Sequence, residues 1–199
     1  MKILLSTAYL PPAEYFALIK EAEEIFIERE ENYLKQSFRN RCYILSAGGP
    51  QILSVPVFLG SLHKTSVKEI RIDYSKRWQQ VHLGAIRSAY SAAPFFIYYF
   101  EILEKIINNN YNYLLDLNMD LLHAMVDILK LKREIRYTNQ FVPALGNDDD
   151  FRYTLSPKKK SVYHAKSYLQ VFQVGKEAIQ GLSIVDVIFN TGPDASHYL

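Results

Sequence analysis

Lys35, Arg39, Asn40 and Arg41 fall close together, immediately ahead of the apolar run at 42–45. In an extended segment side chains alternate, so Lys35, Ser37, Arg39 and Arg41 would share one face. An arginine fork grips phosphate or carboxylate through parallel N–H donors, which makes this face a candidate anion site. The competing reading is a solvated strand edge, or arginines paired to Glu28, Glu30 and Glu31 just upstream.

His82 is the candidate general base. It follows Trp78 by one helical turn and shares its stripe with Ala85 and Ala89, so it should face inward. Burial would lower its pKa and leave a neutral imidazole. Asp73 is paired with it as the second candidate catalytic residue, with Asp116 and Asn118 as further orienting partners. The other reading is a core histidine bonded to a backbone carbonyl. Asn118 interrupts an apolar helical stripe, and a buried amide needs partners, so it either holds a loop or touches a ligand. Tyrosine offers a sugar or base an apolar face and a hydroxyl, which brings Tyr9 into the substrate-binding set with Lys35, Arg39, Asn40, Arg41 and Asn118. Ser183 and Asp186 have the spacing of a helix capping box. Cys42 reads as a small buried hydrophobe.

These side chains need a scaffold, and the composition supplies a core for one. The 199 residues are 49% hydrophobic and 22% charged, which fits a single domain spanning 1–199 and argues against disorder. A net charge of +2, without a clustered basic face, does not fit nucleic acid. Fifteen Tyr, eleven Phe and one Trp form either a ring-packed core or a ring-binding cleft. A lone cysteine excludes an intrachain disulfide. With no signal peptide and no apolar stretch of membrane-spanning length, a cytoplasmic protein without a transmembrane segment is expected. There is no Gly-rich phosphate loop, dinucleotide fingerprint or nucleophile elbow, and no motif names a cofactor. The five histidines lack metal-ligand spacing, so no metal site is expected.

Along the chain, 2–6 reads as a buried strand, the stretch after Pro12 as a helix and 25–28 as a second strand, a pattern that favours a parallel pair. Runs at 41–47 and 51–57 flank Gly48-Gly49-Pro50 as a hairpin, with Pro56 near a strand end. Residues 68–73 suggest a further strand. Helices are expected from about 76 to 92 with Ser75 as cap, from 95 to 107, and from 113 to 131. Residues 135–139 suggest a returning strand, 143–161 a mobile loop, 167–173 a strand, and 182–192 a short helix ending at Gly192. Asp148–150 opposite Lys158–160 form either a lid over a polyanion or a solvated loop. The fold class is α/β: a small mixed sheet from the N-terminal third (about 1–73) packed against a helical middle (about 75–131), followed by loop and C-terminal elements (132–199).

Several segments in this order, "TAYLPPAEYF", "ENYLKQSFRNRCYI", "LSVPV", "RWQQVHLGAIRSAYSAAPFFIYYFE", "LLDLN", "YLQVFQ" and "LSIVDVIFNTGP", resemble the WbqC-like proteins of bacteria. Thr7-Ala8 depart from the Gln-Pro of many relatives, and Leu83 from an aromatic residue after the histidine. The resemblance implies an association with O-antigen or other surface-polysaccharide assembly, and acyl or aminoacyl transfer to a sugar as the kind of role. The resulting expectation is a transferase acting on a nucleotide-sugar or other phosphorylated small molecule. Its alternative is a non-catalytic protein that binds a glycan precursor or acts as a scaffold.

Overall fold

The computed structural model describes residues 1–58, 65–141, 143, 149–159, 166–172 and 179–199. The opening is strand–helix–strand: β1 (Lys2–Ser6), α1 (Ala13–Glu21) and β2 (Glu24–Glu28). β1 and β2 pair in parallel, with Ile3 beside Ile25 and Leu5 beside Ile27. These four side chains are fully buried, because alternate residues of each strand face Phe16 and Ile19 of α1 in the core. A hairpin follows, β3 (Arg41–Ser46) and β4 (Gly49–Ser54), paired antiparallel. It turns at Gly49, whose φ of 103° lies in the left-handed region.

Three helices then follow: α2 (Trp78–Tyr90), α3 (Phe96–Ile107) and α4 (Leu114–Ile128). Their stripes bury Trp78, Ile86, Leu103, Leu114, Leu117, Leu121 and Met125. After α4 the chain returns as β5 (Ile135–Tyr137), parallel to β2, giving a sheet in the order β1-β2-β5. The class is mixed α/β as expected. The strands divide between this parallel sheet and the separate hairpin, and the third parallel strand enters from beyond the helices. The last helix, α5 (Ile184–Thr191), ends at Gly192 with φ 55°. A Cβ on Gly192 would stand 2.4 Å from the Phe95 ring, so glycine is required there for conformation and for space.

Several local expectations are corrected. Residues 68–73 are not a strand: Val67–Glu69 form a 3-10 turn, and Ile72 meets Val57 only in an isolated bridge. Ser75 does not cap α2. Its amide donates to Asp73 Oδ1 at 2.8 Å, and the helix begins later, at Trp78. The described residues 166–172 carry no strand. Within the expected loop at 143–161, residues 149–151 lie along β1, with Phe151 N donating to Leu4 O and Leu4 N to Asp149 O. Arg152 next to them is buried, held by Glu28 at 3.1 Å and Asp150 at 2.6 Å. This part of the chain lies alongside the middle of β1, bridged in parallel between Leu4 and Asp150. Asp148 and Lys160 lie outside the described residues, so the opposed charge runs are not both on view.

Candidate functional site

A cavity of about 800 Å³ opens between the turn at 33–41, the end of β4 and the first turns of α2. It includes Lys35, Asn40 and Arg41 from the first, Val55 from the second, and Trp78 and His82 from the third. Asp73, Lys76 and Arg77 complete the rim where the chain enters α2. A second cavity of about 400 Å³ lies against Leu4, Phe26 and Tyr137 of the parallel sheet.

The shared face expected of 35–41 is not formed. Gln36 has φ 55° and Ser37 Oγ donates to Leu34 O at 2.6 Å, so the segment turns and loses the alternation of an extended chain. Lys35 and Arg41 keep to the cleft, whereas Arg39 turns away and lines a much smaller cavity at the end of β1. There its Nε and Nη2 donate to Glu31 Oε1 and Oε2 at 2.9 and 2.6 Å, and Nη2 also reaches Ser6 Oγ. Both residues of this fork-to-carboxylate pair are buried. The expected convergence of Arg39 with Arg41 on one anion is therefore absent, and the ion-pair reading holds for Arg39.

Tyr9 is fully buried and does not line the cleft; its hydroxyl lies 2.9 Å from His82 Nδ1. The backbone of Ser54 supplies the imidazole's other hydrogen bond. A carbonyl only accepts, so Nε2 carries the proton and Nδ1 accepts from the Tyr9 O–H. Burial lowers the His82 pKa to about 4, against the smaller upward effect of Ser54, so the ring is neutral at pH 7. Both lone-pair and proton positions of His82 are thus occupied, although the ring borders the cavity and packs edge-on against Trp78 at 5.1 Å.

The Asp73 pairing with His82 is not formed. Asp73 Oδ1 accepts from Ser75 N, and that amide chiefly holds the carboxyl below its usual range, so an ionised carboxylate stands on the cleft rim. Asp116 is exposed and outside the cleft. Asn118 also lies elsewhere: its Nδ2 donates to Arg39 O at 2.8 Å and Thr7 Oγ1 at 3.1 Å, which ties two loops together. The capping box is likewise absent. Ser183 Oγ caps α5 through Val185 N, but the buried Asp186 carboxylate accepts from Tyr168 and Gln170 at 2.6 and 2.7 Å. Burial raises its pKa more than those donors lower it. The Cys42 thiol is buried and its pKa strongly raised by desolvation, as a core residue's would be.

Three polar atoms of cleft residues are buried without a hydrogen-bond partner in the protein: Asn40 Oδ1, Arg41 Nε and Trp78 Nε1. Asn40 Nδ2 is bonded to Val55 O, which fixes the amide and leaves its oxygen free. Native proteins leave few such groups, and those they leave call for a ligand, water or ion. Lys76, Arg77 and the indole N–H of Trp78 were missed as site residues from sequence. Their signal was two cations placed directly ahead of a helix. Among the described residues no group of three or more His, Cys, Asp or Glu could hold a metal ion. No helix among them is long and apolar enough to cross a membrane.

Fold and site together define a small α/β protein with a cation-rimmed cleft. The chain belongs to the WbqC-like protein family, whose model matches residues 7–171. It is 25% identical over 222 residues to the uncharacterized protein Rv1507c of Mycobacterium tuberculosis, an alignment covering 98% of this chain and 96% of that protein. No solved structure matches the chain significantly.

Proposed function

We propose that the protein is a cytoplasmic transferase of bacterial surface-glycan assembly, and that its cleft receives a nucleotide-activated sugar or a similarly phosphorylated precursor. The observation that carries this reading is the trio of unpartnered polar atoms at Asn40, Arg41 and Trp78. The guanidinium and indole N–H groups call for acceptors, and the amide oxygen calls for a hydroxyl or amine donor. A sugar phosphate offers all of these within one molecule. Lys35, Arg41, Lys76 and Arg77 against the single carboxylate of Asp73 suit a multiply charged anion. Acyl or aminoacyl transfer onto the sugar is the reaction class, with Asp73 as the carboxylate available to orient or accept a proton.

One observation favours the non-catalytic alternative, a precursor-binding protein: both nitrogens of His82 are engaged. Incubation with nucleotide sugars, together with acyl thioester and aminoacyl donors, separates the two. A transferase consumes donor, whereas a binding protein is only stabilised, by an amount set by ligand concentration over its dissociation constant. Absence of stabilisation by every phosphorylated sugar would contradict both.

A further inference from the structure

Helix α2 begins with the charges reversed from the usual arrangement. A helix N-terminus carries partial positive charge and free N–H groups, and is normally answered by an acid or a side-chain cap. Here Arg77 occupies the cap position without a side-chain hydrogen bond, the first turn holds no acid, and Lys76 precedes it. Cation is thus stacked on the positive end of a 13-residue helix, an arrangement that an anion would relieve. A second, independent observation stands on the same turn. Trp78, at 5% exposure, lines the cleft with its buried indole N–H bonded to nothing in the protein.

We infer that the first turn of α2, with Lys76, Arg77 and the Trp78 indole N–H, is the phosphate subsite of the cleft and takes a diphosphate group. This rests on the reading that the cleft binds a phosphorylated precursor, and it moves the principal phosphate contacts from the 35–41 segment to α2. A diphosphate supplies acceptor oxygens to the indole and both cations together, beside the positive end of the helix. Asn40 Oδ1, which can only accept, is then left for a hydroxyl or amine of the attached ring.

The test uses the full chain, with inorganic pyrophosphate and a uridine-diphosphate sugar as probes. Binding is followed by calorimetry and by the fluorescence of Trp78, the single tryptophan. The double variant Lys76→Gln/Arg77→Gln should weaken pyrophosphate binding by roughly tenfold or more, since each lost charge-assisted bond is worth at least about a factor of ten. Arg87→Gln, at the far end of α2 and ion-paired to Glu104, should leave binding unchanged. Both cations are exposed, so the double variant should keep the parent melting temperature. If the uridine-diphosphate sugar binds and the double variant binds it as tightly, the subsite assignment is wrong while the cleft reading stands. If neither probe binds the parent protein, both are wrong.

Discussion

The Tyr9 hydroxyl and His82 Nδ1 meet at 2.9 Å across 73 positions of sequence, between the loop after β1 and the first turns of α2. The contact ties a cleft-lining residue to the loop after β1, while burial keeps the imidazole neutral. Its consequence for stability has a definite sign. In the unfolded chain the ring takes up a proton near pH 6.5, in the folded protein only near pH 4. Below pH 6.5 the unfolded state binds more protons, so stability falls with pH and levels off below about 4. The shift corresponds to roughly 3 kcal/mol over that window. Urea melts of the parent should lose about this much between pH 6.5 and 4, and His82→Gln should lack that component. An unchanged pH slope in the variant would show that His82 is not the buried neutral group described.

Tyr9→Phe should keep the ring packing but leave Nδ1 without its donor. A buried acceptor stripped of its partner costs about 1–3 kcal/mol. The melting midpoint in urea should drop accordingly. An unaffected midpoint would mean that the hydrogen bond contributes nothing.

Arg39 forecasts a loss of stability, with ligand affinity spared. Removing one partner of a buried ion pair leaves the other charge uncompensated and costs about 3–5 kcal/mol. Arg39→Ala should therefore melt markedly lower, while the folded fraction binds ligand as before. Lowered affinity at parental stability would return Arg39 to the binding site.

At Gly192 the left-handed φ and the Phe95 ring act together. Gly192→Ala should destabilise by well over about 1 kcal/mol, because the added methyl meets both strain and overlap. A melting temperature equal to the parent's would show that the α5 terminus relaxes freely.

Core and surface positions on the helices should separate cleanly. Leu121, at 1% exposure, should cost about 2–5 kcal/mol on truncation to Ala. Val81, at 63%, should stay within about 0.5 kcal/mol. Chemical denaturation of the two single variants checks the helix phases.

Long periodic segments were legible in the sequence for a physical reason: α2 to α4 each repeat an apolar face over several turns, and the strand–helix–strand opening alternates two periods. Val81 is the exception, an apolar residue that falls on the exposed margin of its helix. Several of the failures hang on partners distant in sequence. Residues 68–73 have strand-like side chains but find only isolated bridges, Ile72 to Val57 and Arg71 to Tyr113. Asp186 has the spacing of a cap, yet Tyr168 and Gln170 claim its carboxylate. Arg39 and Arg41 differ by two positions and look equivalent, yet Arg39 sits in the turn ahead of β3 and pairs with Glu31, while Arg41 opens the strand beside the cleft. His82 was placed correctly as an inward histidine, but its partner proved to be Tyr9, which no local pattern connects to it.

The central claim is that the cleft at Asn40, Arg41 and Trp78 binds a phosphorylated sugar. Calorimetric titration of a nucleoside-diphosphate sugar into the parent protein and Arg41→Gln tests it most directly. The account predicts one site per chain in the parent, weakening as salt is raised, and a loss of roughly tenfold or more in the variant. Equal affinity in the two proteins, or no binding to the parent across a panel of such sugars, would contradict it.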